Sequence, residues 1–192
     1  MTRAALALIL AASPACAAAQ QRTAPPAMAP TTVILVRHAE KASETETDPP
    51  LSERGRARAA ALADALRDAR LTGVIVSERR RTHDTAAPAT PEGIVPDTIS
   101  IQAGVAAHAR AVAERIRGRH AGGTVLVVGH SNTIPAIMTA LGAGPLPDIC
   151  DAAYANLYIM VLEGEARPRL VRTTFGAPDP PGAAECPGMQ AR

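Results

Sequence analysis

The stretch TTVILVRHAEKASETETDPP, residues 31–50, decides the fold. Val33 to Val36 form an unbroken aliphatic run with no polar residue alternating through it. Such a run reads as a strand covered on both faces, which belongs in a parallel sheet rather than a one-sided antiparallel one. It ends abruptly in Arg37-His38-Ala39-Glu40-Lys41, with no glycine turn in between. A buried strand thus delivers an arginine and a histidine side by side at its carboxyl end.

Two more aliphatic runs end in the same way. Val74-Ile75-Val76 leads into Ser77-Glu78, and Thr124 to Val128 leads into Gly129-His130. Helical patterns separate them. Ser52 is a good N-cap for a helix running to about Arg70, with Ala57, Ala61, Leu62, Ala65, Leu66 and Ala69 at helical spacing. A helix is expected from about Arg79 to Ala87, ended by Pro88. Ile94 to Ile101 reads as a strand, Val105 to Arg119 as a helix, and Asn132 to Leu141 as another with Pro135 in its first turn. Leu157 to Leu162 and Leu170 to Thr174 suggest a hairpin around Glu163-Gly164-Glu165. The expected fold is a three-layer α/β/α sandwich with a mostly parallel sheet. Ligands of such sheets bind beyond the carboxyl ends of the strands, where Arg37-His38, Ser77-Glu78 and Gly129-His130 then converge.

Composition bounds the rest. A chain of 192 residues accommodates one domain with a real core. With one Phe, two Tyr and no Trp, it has no aromatic platform for single-stranded nucleic acid. The formal net charge of +2 is too small for a polyanion partner, so nucleic acid is not expected. Residues 1–19 carry the marks of a signal peptide: Arg3, an apolar stretch from Ala4 to Ala12, and small-x-small sites ending at Ala17 and Ala19. Export, periplasmic or secreted, is therefore expected. Ser13-Pro14-Ala15 before Cys16 is a poor lipobox and argues against a lipid anchor. No segment is long and apolar enough to span a membrane. Residues 20–30 read as a disordered Pro/Ala spacer, 31–175 as the folded domain, and 176–192 as a Pro-rich tail. Cys150 and Cys186 either form a disulfide tying that tail to the body or remain thiols; geometry decides.

Arg37, His38, Arg81 and His130, with no Cys or carboxylate cluster at ligand spacing, make a cationic pocket. Arginine forks match phosphoryl oxygens, and a neutral imidazole is a competent nucleophile toward phosphorus. Neither metal nor cofactor is needed for that chemistry, and the expected partner is a small phosphorylated substrate. The oligomeric state is not legible.

These motifs resemble the histidine phosphatase superfamily, the phosphoglycerate-mutase-like group, and within it the small branch-1 phosphatases. The resemblance rests on VRHAEK with PLSERGRARAAALADAL downstream, on Ser77, Arg81, Thr85 and Ala86 at S-x-x-x-R-x-x-x-T-A spacing, and on VVGHSN. It implies that His38 becomes phosphorylated and that Arg37, Arg81 and His130 form the phosphate pocket. Together with the signal-like residues 1–19, it implies an exported phosphatase hydrolysing phosphomonoesters through phosphohistidine; a phosphohistidine protein phosphatase and a non-catalytic phosphoryl-binding module are the alternatives. One departure stands out. Family members often carry a carboxylic acid after the third strand, but ISIQAGVAAHARAVAE has no carboxylate between Asp97 and Glu114. Replacement proton donors are Glu40, Glu44, Glu46, Asp48, Asp151 or His108. His108 and His120 read otherwise as exposed helix residues, and His83 as surface.

Overall fold

In the computed structural model, residues 29–164 and 166–183 are described. Residues 1–28 and Cys186 lie outside the described residues, so the question of a bridge between Cys150 and Cys186 does too. Cys150 itself is disulfide-bonded.

The three aliphatic runs are strands β1 (Thr31–Arg37), β2 (Gly73–Val76) and β4 (Thr124–Gly129). The others are the two-residue β3 (Asp97–Thr98), β5 (Asn156–Leu162) and β6 (Arg169–Thr174). They form one six-stranded sheet in the order β3-β2-β4-β1-β5-β6. β1, β2, β3 and β4 run parallel, while β5 and β6 form the expected hairpin and add antiparallel to β1. The helices are α1 (Glu53–Ala65), α2 (Arg80–Ala86), α3 (Val105–Arg119) and α4 (Thr133–Ala140).

Strand alternation sorts the core into two layers. Val33, Leu35, Ile75, Val125 and Val127 face α3 and α4, meeting Val112, Ile116, Ile134 and Met138. Ile34, Val36, Val74, Val76, Leu126 and Val128 face α1 and α2, meeting Leu62, Leu66 and Ala86. Both faces of the central strands are covered, which is why these strands are continuously aliphatic.

Boundaries differ from the sequence reading where local chemistry intervenes. Ser52 caps α1 by accepting from the Gly55 N–H at 3.0 Å, as expected. The helix nevertheless stops at Ala65, not near Arg70, and the chain turns at Arg70 with φ of 49°. Pro88 sits inside a 3₁₀ turn over Ala87–Ala89 that extends α2. The expected strand over Ile94 to Ile101 shrinks to Asp97–Thr98. Its flanks are proline-punctuated, with Pro91 and Pro96 unable to donate to a ladder. The buried stripe of α1 is also shifted. It runs through Gly55, Arg58, Ala59 and Leu62, while Ala57 and Ala65 face solvent.

Gly55 allows this packing, because a Cβ there would stand 2.2 Å from the Glu40 carbonyl oxygen. That carbonyl accepts from the Ser52 N–H at 2.9 Å. The start of α1 is thereby docked onto the loop that carries His38. Residues 176–183, expected to be tail, instead cross the body. The Asp179 carboxylate accepts from the Tyr154 and Ala155 N–H groups at 2.8 and 3.0 Å, and Ala183 is buried against the α3/α4 layer.

Candidate functional site

Register brings the site together. β2, β4 and β1 are adjacent and parallel, with Val76 opposite Val128 and Val36 opposite Val128 on its other side. One step further, Arg37 pairs with Gly129, and the His38 N–H continues the ladder onto the Gly129 carbonyl at 2.9 Å. Ser77, His38 and His130 therefore emerge at one level of one edge. The ring centroids of His38 and His130 are 5.3 Å apart, edge to face.

Each ring has a defined tautomer. His38 Nδ1 lies 2.8 Å from the Ala39 carbonyl oxygen, which only accepts. Nδ1 therefore carries the proton and Nε2 carries the lone pair. His130 is the reverse. Arg81 Nη2, which only donates, lies 3.4 Å from Nδ1, and Ser77 Oγ lies 2.9 Å from Nε2. Nε2–H then donates to Ser77. Ser77 in turn lies 3.1 Å from Thr82 Oγ1, itself bonded to the Arg79 carbonyl at 2.7 Å. Thr85 Oγ1 accepts from the Ala39 N–H at 2.9 Å and donates to the Arg81 carbonyl at 2.7 Å. It joins the residue after His38 to the helix that holds Arg81. The spacing of Ser77, Arg81 and Thr85 thus has a physical meaning: each holds a different part of the two-histidine cluster.

Arg37 is 5% exposed and held from behind. Its Nη1 donates to the carbonyls of Cys150 and Asp151 at 2.8 Å each and of Ala153 at 3.3 Å. The Nε atoms of both Arg37 and Arg81 are buried and find no hydrogen-bond partner among the described residues. An unsatisfied buried guanidinium donor is costly, and an oxyanion relieves it.

The field of these cations, together with burial, governs the histidines. Burial is the chief force pushing His38 down to about 2, with Arg37, His130 and Arg81 adding to it and the Ala39 carbonyl opposing it. His130 is pushed down to about 3 by burial first, then by Arg81, His108 and Arg79, against Glu78. Both rings are neutral at physiological pH. Unfolding releases them to the ordinary histidine range near 6.5, so below that pH the unfolded chain binds protons that the folded one refuses. Stability is therefore expected to be level above about pH 7.5 and to fall as pH drops, by up to about 1.4 kcal/mol per pH unit for each histidine. Thermal melts from pH 8 to 5 check this, and saturating inorganic phosphate should flatten the slope.

The proposed proton donors separate clearly. The Glu40 carboxylate is bound by Arg58 Nε and Nη2 at 2.9–3.0 Å and by Arg54 Nε at 3.0 Å. Glu44 pairs with Lys41, and Glu46 is exposed. Asp48 accepts from the Arg80 N–H at 3.1 Å and lies 3.5 Å from Arg81 Nη1. Asp151 lies 3.6 Å from Arg37 Nη2 but is 89% exposed. His108, expected on the surface, is buried, with Nδ1 3.2 Å from the Ser100 carbonyl. His120 is likewise covered and bonds Asp97 at 2.9 Å. Their burial follows from α3 packing flat on the sheet, which brings its inner face over the strand ends. His83 is partly exposed.

Sequence reasoning missed two participants. Tyr154, in the segment before β5, lays its ring 4.2 Å from the Arg37 guanidinium carbon, with its centroid 6.3 Å from that of His38. Arg58 joins Glu40 to the carbonyls of Phe175 and Ala177 at 3.2 and 2.9 Å. A charge on the buried stripe of α1 was the available signal for Arg58; nothing local marks Tyr154.

Comparison with known proteins bears on the family and the fold. The family described as histidine phosphatase superfamily (branch 1) matches residues 33–100 and 100–174. Among curated proteins none matches the sequence. A protein assigned as the phosphohistidine phosphatase SixA of Nakamurella multipartitia superposes with a TM-score of 0.58 at 23% identity, over 79% of this chain and 99% of that one. A mycobacterial glucosyl-3-phosphoglycerate phosphatase superposes at 0.56 and 20% identity, over 73% and 97%. The phosphoserine phosphatase of Entamoeba histolytica, solved with 3-phosphoglyceric acid, superposes at 0.58 and 14% identity, over 77% and 98%. These likenesses show a shared fold, and the family match, spanning both histidine motifs and the arginine between them, assigns the chain: it belongs to branch 1 of the histidine phosphatase superfamily.

Proposed function

We propose that this chain is an exported, metal-independent phosphomonoesterase that works through a phosphohistidine at His38. The observation that carries the reading is the pair of buried, unpartnered guanidinium Nε atoms beside two neutral histidines. A phosphoryl group set between Arg37 and Arg81 satisfies both donors and meets the Nε2 lone pair of His38. His38 Nε2 attacks phosphorus while Nδ1–H stays on the Ala39 carbonyl, which fixes the ring and stabilises the charge it acquires. Arg37 and Arg81 offset the negative charge on the phosphoryl oxygens as the in-line transition state forms. His130, oriented by Ser77, presents its Nδ1 to the same oxygens and gains a proton when the dianion enters. Water then takes the phosphoryl group from His38. The fixed positive charge of the arginines does the work a metal would otherwise do, so none is required.

Hydrolysis of p-nitrophenyl phosphate by purified protein in excess chelator tests this. Turnover that persists supports it; turnover restored only by a divalent ion defeats metal independence. Binding of phosphate without turnover would instead establish the non-catalytic alternative. Export rests on residues 1–19 and is checked by mass spectrometry of the mature N-terminus in the extracytoplasmic fraction.

A second reading, dephosphorylation of protein phosphohistidine, is favoured by one observation. The carboxylates near the pocket are engaged by cationic or N–H donors, exposed Asp151 most loosely, at 3.6 Å from Arg37. Imidazole leaving from phosphorus demands less of a protein acid than an alkoxide does. The likeness to the SixA fold is compatible with that substrate.

A further inference from the structure

We propose that Tyr154 is a catalytic residue, the general acid that delivers a proton to the leaving-group oxygen. The inference rests on the phosphatase reading above. Tyr154 sits on the 146–155 segment, whose carbonyls at Cys150, Asp151 and Ala153 clamp Arg37 from behind. Its ring meets His38 edge to face at 6.3 Å and lies 4.2 Å from the Arg37 guanidinium. Its backbone is fixed too, through the N–H bond to Asp179, which stands 3.8 Å from Arg58. Tyr154 is partly exposed, whereas the two histidines are buried.

A proton inventory singles it out. Arg37 Nη2 donates to Tyr154 Oη at 3.4 Å, and a guanidinium cannot accept. The oxygen therefore receives that bond, and its own hydrogen has no acceptor among the described residues. The other polar groups facing the pocket are engaged elsewhere: His130 gives Nε2–H to Ser77, and the proton its Nδ1 gains on binding faces the phosphoryl oxygens beside Arg81 rather than the leaving group. Glu40 is bound by Arg54 and Arg58, with both carboxylate oxygens occupied. Asp48 is held by the Arg80 N–H and by Arg81. Glu78 takes the Ile101 N–H at 3.0 Å and the Ser100 hydroxyl at 3.3 Å. Burial alone would raise its proton affinity, but these bonds and its own N–H lower it. His108 gives its Nδ1–H to the Ser100 carbonyl, which leaves only a lone pair at Nε2. The remaining competitor is Asp151, almost fully exposed beside Arg37.

The step balances. The His38 Nε2–P bond forms as the P–O bond to the leaving group breaks, and that electron pair goes to the leaving oxygen. Tyr154 O–H gives its proton there, releasing the alcohol and leaving a phenolate beside Arg37. Water next attacks phosphorus, the N–P bond breaks with its pair returning to Nε2, and a water proton restores the phenol. Inorganic phosphate departs, and His38 is neutral again.

Leaving-group dependence tests the role, because p-nitrophenolate departs without a proton and an alkoxide does not. Values of kcat/KM for p-nitrophenyl phosphate and glycerol 2-phosphate are to be measured for the native protein, Tyr154→Phe and Asp151→Asn. Phenylalanine keeps the ring against Arg37 and His38 and removes only the hydroxyl. The loss in Tyr154→Phe should be about 10²-fold or more greater for the alkyl than for the aryl ester. Asp151→Asn should lower both equally. Equal losses in Tyr154→Phe overturn the proposal, as does a selective loss that appears in Asp151→Asn instead. Native protein that cleaves only the aryl ester overturns it too and favours the phosphohistidine reading. Native protein that cleaves neither ester defeats the phosphomonoesterase reading itself, a result recognisable before any variant is made.

Discussion

His38→Ala is expected to lower kcat/KM for p-nitrophenyl phosphate by about 10⁴-fold or more, a loss of at least about 5.5 kcal/mol of transition-state stabilisation. The reason lies in how completely the surroundings prepare this one atom. The Ala39 carbonyl fixes the proton on Nδ1. Burial, with Arg37, His130 and Arg81, keeps the ring neutral down to about pH 2. The lone pair of Nε2 is thus always available, with no proton to shed before attack. Alanine removes the one ring nitrogen left without a hydrogen-bond donor: the lone pair of His130 Nδ1 is met by Arg81, and Ser77 Oγ is held by His130 and the Arg79 N–H and is itself buried. Phosphate binding should survive the change, because Arg37 and Arg81 are held from elsewhere, by the 150–153 carbonyls and by α2. Calorimetric titration with inorganic phosphate alongside the kinetics separates the two. A variant that binds phosphate and does not turn over is the predicted result. A variant retaining more than a tenth of native activity contradicts the nucleophile assignment.

Arg58→Met should cost about 3–5 kcal/mol of stability, the largest effect expected from any residue outside the pocket. Arg58 is 1% exposed and Glu40 13% exposed, so the substitution leaves a largely covered carboxylate with the exposed Arg54 as its remaining cation. It also frees the carbonyls of Phe175 and Ala177 and removes the cation nearest Asp179. These contacts join the loop after His38, helix α1, the segment beyond β6 and the backbone of Tyr154. At this chain length such a loss corresponds to a fall in Tm of roughly 10 °C. Thermal melts check the value. Adding Glu40→Gln should recover part of the loss, because the unpaired charge goes with it; additive losses would argue against the pair.

The strands and the pocket were legible in the sequence because their signals are strong and local. An aliphatic run such as Val33–Val36 has few structural options, and three of them in parallel force their ends to one edge. Arg37, His38, Arg81 and His130 meet for that reason alone, each within a step of a strand end or a helical turn. Helix faces were less legible where alanine carried the pattern. Ala57 and Ala65 mimic a core stripe but face solvent, since a methyl group gains little by burial. Arg58 takes the inner position instead, because Glu40 and two carbonyls satisfy its charge, a condition set by residues far along the chain. Tyr154 was invisible for the same reason: its place over Arg37 depends on Asp179 and on the path of the 146–155 segment, neither of which has a periodic signature. The contacts of Asp179 and Ala183 with the body were not legible either, because prolines fit an extended segment lying on a surface as well as one in solvent.

The central claim is a covalent one, that phosphorus becomes bonded to His38 during turnover. Rapid mixing with substrate, quenching in alkali where N–P bonds persist, and peptide mass spectrometry tests it most directly. The account predicts a single phosphorylated histidine at His38, absent from His38→Ala. Label on His130 or on a hydroxyl residue, or hydrolysis proceeding with no label at all, would contradict it.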